Sequence, residues 1–168
     1  MRYAFLKRFD AVSKKETRSV GQVLGRLLFL LYAGVMLWLL FGQRFGSGTV
    51  SSAVAGNYNL NIVPLKTIKM YLAMLRRTTN QYLFVHALVN LAGNVILFVP
   101  LGFFLPNIWE KKRSPITVLL IVTIVIVLVE LVQYVTLLGS CDVDDLLLNL
   151  LGAMVGYIIW RFTAKLRR

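Results

Sequence analysis

Read by polarity alone, the chain is four long apolar runs joined by polar connections. The runs cover about residues 27–43 (LLFLLYAGVMLWLLFGQ), 83–105, 116–138 and 146–162. Each is close to the ~20 residues needed to cross a bilayer, and its apolar positions fall all round a helix instead of on one face. The fold class predicted is all-α: a polytopic membrane protein built as a four-transmembrane-helix bundle. One further periodic segment lies in the first loop, residues 44–82. PLKTIKMYLAMLRR, residues 64–77, spaces Leu65, Ile68, Tyr71 or Leu72, and Leu75 at helical intervals, with Lys66, Lys69, Arg76 and Arg77 on the polar side. That pattern predicts an interfacial amphipathic helix in the first extracytoplasmic loop, and a loop helix packed on the bundle fits it equally. Residues 46–61, rich in Gly, Ser and Asn, read as irregular.

Composition agrees with the runs: 58% of residues are hydrophobic and mean hydropathy is +0.71. The net charge of +12 would point to nucleic acid in a soluble chain. Here the basic residues flank the apolar spans, so nucleic acid is set aside and the charges are read as topology determinants and contacts for membrane lipids. Seven Lys/Arg lie in the tail before the first span, three in the 106–115 loop and four at the C-terminal end (Arg161, Lys165, Arg167 and Arg168), against five in the 44–82 loop and none in 139–145. This excess predicts that both termini are cytoplasmic. The domain reading is a basic tail (1–26), a membrane domain (27–162) and a second basic tail (163–168). SAVAG at 52–56 lies too far beyond the first apolar run for a signal-peptide cleavage site, so the first span is read as uncleaved. The one cysteine, Cys141, excludes an internal disulfide and reads as a small residue in a tight loop.

Polar residues inside the spans carry the chemistry. His86, Asn90 and Asn94 recur every four residues on the second span; Glu130 and Gln133 sit three apart on the third; Asp145 and Asn149 sit four apart on the fourth. With that topology, all three stripes run inward from the outer surface, and the cytoplasmic halves have no counterpart. A charged side chain near the bilayer centre costs at least about 2.5–3.5 kcal/mol, so Glu130 marks a partner, a wet site or a bound cation. Glu130 and Asp145 are candidate catalytic acid and base groups, because different surroundings can drive two carboxylates to opposite roles. His86, Asn90, Asn94, Gln133, Asp142, Asp144 and Asn149 are candidate substrate-binding residues. Interhelical hydrogen bonding for the asparagines and helix capping by Asp144 or Asp145 remain open beside that reading. Lys66, Lys69, Arg76 and Arg77 are candidate lipid-phosphate contacts. No cofactor is expected; Glu130, Asp142 and Asp145 would suit Mg²⁺ or Ca²⁺, if any metal, since hard cations prefer oxygen ligands. Gly152 and Gly156 form a GxxxG pattern of helix packing.

The order of four motifs is informative: NIVP at 61–64, NLAGNVILFVPLGFFLP at 90–106, ELVQ at 130–133 and DVDDLLLNLLGAMVGY at 142–157. Together they resemble the VanZ-like family of bacterial membrane proteins, over roughly residues 25–165. The family's characteristic positions fall here on Asn94, Pro100, Gly102, Glu130, Gln133, Asp142, Asp145, Asn149, Gly152 and Gly156. Many members carry an arginine shortly before the position of Asp142; this chain has Gly139, Ser140 and Cys141 there. The resemblance implies teicoplanin-type antibiotic resistance at the bacterial plasma membrane. The expected partner is then a lipid-linked cell-wall precursor or a lipoglycopeptide-like amphiphile, met by an outward-facing acidic and amide-rich pocket. Alternatives are a membrane enzyme acting on a cell-envelope substrate, a proton- or cation-coupled transporter, and a structural partner that uses Gly152 and Gly156 as an interface.

Overall fold

The computed structural model describes residues 21–42, 60–108, 114–136 and 141–166. The basic tail through residue 20, Arg44, the loop residues Lys111, Lys112 and Arg113, Gly139, Ser140, and the terminal Arg167 and Arg168 lie outside the described residues.

Among the described residues, four helices are long and apolar enough to cross a membrane: α1 (Gly21–Gly42), α3 (Gln81–Ile108), α4 (Pro115–Val135) and α5 (Val143–Leu166). The last turn of α1, Trp38–Gly42, widens into a π-helix. A shorter helix, α2 (Lys66–Arg77), stands where the loop periodicity placed one. Two two-residue strands, β1 (Leu60–Asn61) and β2 (Cys141–Asp142), complete the set among the described residues.

The helix boundaries have local causes. Asn80 caps α3, its side-chain oxygen accepting from the Tyr82 N–H at 2.9 Å. Pro115 opens α4, where its missing N–H has no intrahelical partner to lose. Asp142 caps α5 by accepting from the Asp144 N–H at 2.8 Å. Helix α3 continues through Pro100 and Pro106 without ending, as buried membrane helices tolerate. Polar side chains on the spans quiet themselves on carbonyls one turn back: Thr123 donates to Leu119 at 2.8 Å and Asn90 to His86 at 2.8 Å.

Successive spans alternate in direction, so α3 and α5 run parallel and form the main helix pair. Their backbones touch: a β-carbon on Gly102 would strike the Ala153 carbonyl, one on Gly152 the Val95 carbonyl and one on Gly156 the Val99 carbonyl. Lipid tails are as apolar as leucine, so span association relies on such close packing instead of hydrophobic exclusion. GxxxG is therefore spent inside the chain, on α3. At one end the Trp160 indole N–H donates to the Asn107 side-chain oxygen at 3.1 Å. Helix α4 lays a single stripe on this pair, Val118, Val122, Ile126, Glu130 and Gln133, all buried. Helix α1 buries only Met36. It is held by the Tyr32 hydroxyl, which donates to the Leu97 carbonyl at 2.7 Å, and by Gln133 Nε2, which donates to the Leu40 carbonyl at 3.2 Å.

The ends of α1 and α4 and the starts of α3 and α5 share one end of the bundle, with β1, α2 and β2 gathered over it. There β1 and β2 pair in parallel, Leu60 against Cys141 and Asn61 against Asp142. Helix α2 packs on α3 and α5 through half-buried Ile68, Tyr71, Met74 and Leu75.

Candidate functional site

Five buried polar or charged side chains occur among the described residues: Glu130, Gln133, Asp142, Asp144 and Asn149. All lie in the loop-covered half of the bundle.

Two of the acids form a clasp. Asp144 has no solvent exposure at all. Its Oδ1 accepts from the Leu65 N–H, and its Oδ2 from the N–H groups of Thr67 and Ile68 at 2.7 and 3.1 Å. The first residue of the fifth helix's acidic pair thus caps a different helix, α2, across 77 residues of chain. An anion at a helix N-terminus meets unpaired N–H groups and the positive end of the helix dipole. The clasp also holds Leu65 in the left-handed region, φ 65°, a conformation costing about 1–2 kcal/mol for a residue with a β-carbon. Asp142 completes the arrangement: Oδ1 accepts from Asn61 Nδ2 at 2.9 Å, and Oδ2 from the Thr67 hydroxyl at 2.6 Å. Asn61 also donates to Thr67 at 2.9 Å.

Asp145 turns the other way, toward α3, where its Oδ1 accepts from Asn94 Nδ2 at 2.6 Å. This joins two of the three sequence stripes directly. Tyr71 of α2 lies within the field of the same acids. Burial pushes its hydroxyl pKa up, and the charges of Asp145 and Asp142 push it further. Cys141 reports likewise on the third stripe: burial raises its thiol pKa, then the charges of Glu130 and Asp142. Glu130 is 8% exposed and Asn149 4%. Glu130 Oε2 and Asn149 Oδ1 are both closed off from solvent, and Asn149 Oδ1 accepts no hydrogen bond from the described residues.

The remaining candidates make other contacts. His86 is exposed, its ring 5.9 Å from that of Tyr71 and 6.3 Å from that of Tyr82. Asn90 spends its amide on its own helix. Gln133 holds the end of α1. Lys66, Lys69, Arg76 and Arg77 are exposed on the outer face of α2. Among the described residues, no three His, Cys, Asp or Glu side chains come together in a way that could hold a metal ion.

Asn61, Thr67, Tyr71 and the Leu65 N–H were not among the candidates. Asn61 stood in the NIVP motif, three residues before Pro64, but its contact with Asp142 spans 81 residues and leaves no periodic trace.

A family model described as VanZ/LLP1 matches residues 29–164. The chain is 24% identical over 150 residues to Protein VanZ of Enterococcus faecium, covering 87% of this chain and 79% of that protein. No solved structure matches the chain.

Proposed function

We propose, from the premise that the chain belongs to the VanZ/LLP1 family, that this multi-pass membrane protein confers teicoplanin-type resistance by binding an amphiphile at the outer leaflet. The amphiphile is a lipid-linked cell-envelope component or a lipoglycopeptide-like molecule. The observation that carries the reading is the confinement of all five described buried polar side chains to one half of the bundle. Burying such groups is costly; Asp142, Asp144 and Gln133 hold α2 and α1 in place, while the Asn149 side-chain oxygen accepts nothing from the described residues.

In this reading the loop-covered end faces outward and both termini are cytoplasmic, as the lysine and arginine distribution favours. Helix α2 lies at the outer interface, where exposed Lys66, Lys69, Arg76 and Arg77 meet lipid phosphates. Glu130, Asp145, Asn94 and Asn149 face the amphiphile's polar group. Asp142 and Asp144 frame the site by holding α2 over it, and His86 with Tyr71 and Tyr82 forms its aromatic edge. A site open on one side only is favoured over a transport path, because the buried polar set stops within the loop-covered half.

The unequal surroundings of two carboxylates favour a second reading, catalysis. Glu130 is enclosed on α4 while Asp145 is partly exposed and hydrogen-bonded by Asn94. Such a pair can divide acid and base roles on a cell-envelope substrate.

The test is a teicoplanin susceptibility assay in a sensitive Gram-positive host expressing the wild type, Glu130→Gln or Asp145→Asn. Both variants are expected to lose the protection while membrane levels stay equal. Full protection by both neutralised variants would sink the binding and the catalytic readings together.

A further inference from the structure

We propose that the turn from Leu60 to Leu65 is embedded in the outer leaflet and that α2 beside it gathers anionic phospholipid headgroups; the inference rests on the placement of α2 in the reading above and names the lipid its cations meet. From Val63 to Lys69 every backbone N–H is satisfied inside the protein. Val63 donates to the Asn61 side-chain oxygen at 3.3 Å, and Leu65, Thr67 and Ile68 donate to the Asp144 carboxylate. Lys66 and Lys69 donate to the Val63 and Leu65 carbonyls at 3.4 and 3.0 Å, and Pro64 has no N–H to place. A loop in water can leave such groups to solvent, whereas non-helical backbone at membrane depth has to find its partners within the protein. The side chains of the same turn are apolar and turned outward: Ile62 is 72% and Val63 55% exposed, and Leu60 and Leu65 are exposed beside them. A contiguous apolar patch of this kind marks a surface that something apolar covers.

The depth of α2 points to lipid as the cover. Tyr71, in the middle of α2, lies against His86 on the second turn of α3. Around His86, Val85, Leu88 and Val89 are apolar and exposed. On a spanning helix such residues face lipid, so α2 lies level with a lipid-facing surface instead of beyond it. Charge then selects the headgroup. Helix α2 turns Ile68, Tyr71 and Leu75 inward. At 100° per residue, Lys66, Lys69, Arg76 and Arg77 fall within an arc of about 100° on the opposite side. All four are exposed, and residues 60–82 contain no acidic side chain to neutralise them. Asp142 and Asp144 lie beneath, but they accept from Asn61, Thr67 and the backbone at the start of α2. Long basic side chains carry their charges up to the headgroup layer while their stems stay among the tails. A cation set with no acid beside it favours a headgroup of net negative charge over one whose phosphate is balanced by choline.

Two measurements on the full chain test this. Cys141→Ser removes the one cysteine, so a nitroxide can be attached at Val63→Cys or Val89→Cys in nanodiscs of phosphatidylcholine and phosphatidylglycerol. At both positions collisions with oxygen are expected to exceed those with a water-soluble nickel complex. A label at 63 that collides mainly with the nickel complex places the turn in water and overturns the embedding, whatever the label at 89 shows. The second measurement follows thermal unfolding of the wild type in uncharged detergent against dihexanoyl phosphatidylglycerol, dihexanoyl phosphatidylcholine or inorganic phosphate. Phosphatidylglycerol is expected to stabilise saturably, at a midpoint roughly tenfold or more below phosphatidylcholine. Lys66→Gln combined with Lys69→Gln is expected to raise the phosphatidylglycerol midpoint severalfold and to leave that of phosphatidylcholine unchanged. Equal midpoints for the two lipids overturn the anionic selection. Equal stabilisation by inorganic phosphate overturns the lipid in favour of a soluble anion. The wild-type series needs no substitution, so it decides even where a variant does not fold. If both measurements go against the proposal while Glu130→Gln and Asp145→Asn still lose teicoplanin protection, the lipid assignment is refuted and the amphiphile-binding reading stands.

Discussion

Replacing Asp144 by alanine removes the clasp that holds α2 to the bundle, and its cost follows from the geometry. The carboxylate accepts three backbone N–H groups, from Leu65, Thr67 and Ile68, and is wholly buried. A lost N-cap alone costs about 0.5–2 kcal/mol, and each buried N–H left unpaired adds up to about 1–3 kcal/mol. Leu65, at φ 65°, would also keep a conformational cost of about 1–2 kcal/mol without the bond that offsets it. These terms share one carboxylate and do not add fully, so a local loss of about 3–4 kcal/mol is reasonable. At 1.4 kcal/mol per factor of ten, that multiplies the undocked population of α2 by about 10²–10³. Trypsin reads this directly, because α2 carries Lys66, Lys69, Arg76 and Arg77. While docking is fast relative to cleavage, the rate of cleavage follows the undocked population. Cleavage within 66–77 should therefore accelerate at least about a hundredfold in detergent, relative to cleavage after Lys165. Asp144→Asn, which keeps one acceptor oxygen, should fall between. Acceleration of less than about threefold in Asp144→Ala would refute the clasp as the tether of α2.

Other expectations are as direct. Gly152→Ala places a methyl group against the Val95 carbonyl, so α3 and α5 must separate. Overpacking typically costs about 1–3 kcal/mol, and an unchanged unfolding temperature in detergent would contradict the backbone contact. Glu130→Gln removes a negative charge that holds the Cys141 thiol pKa up. The thiolate is the reactive form, so alkylation of Cys141 by iodoacetamide at fixed pH below that pKa should speed up severalfold, and its pH profile should move to lower pH. A profile that stays put would separate Glu130 from Cys141. Gln133→Leu deletes the donor to the Leu40 carbonyl, a bond worth about 0.5–1.5 kcal/mol. Hydrogen exchange at the end of α1 should then rise by roughly 2–10-fold.

The four spans were legible because burial in lipid leaves a local mark: a run of apolar residues long enough to cross. α2 was legible by its 3.6-residue period, and its observed bounds, Lys66–Arg77, differ from the expected 64–77 only at the start. There Asp144, not the local sequence, sets where the helix begins. The GxxxG pattern announced close packing but not its partner, which proved to be α3 of the same chain. Within the polar stripes, Asn94 of the second span meets Asp145 of the fourth through a hydrogen bond. Spacing could not separate Asp144 from Asp145. Adjacent residues on a helix point about 100° apart, so one reaches α2 and the other α3.

The sequence by itself determined the class, the number of spans, the family and the end of the bundle that collects polar groups, since each depends on composition, period or motif order. Only the tertiary structure decided which partners the carboxylates at the start of α5 take: Asp142 and Asp144 hold α2, and Asp145 accepts from Asn94 of α3. That assignment rests on contacts such as Asn61 with Asp142 and Leu65 with Asp144, between residues 81 and 79 positions apart. A hydrogen bond across that distance depends on where packing brings two segments together, and nothing in either segment alone records it.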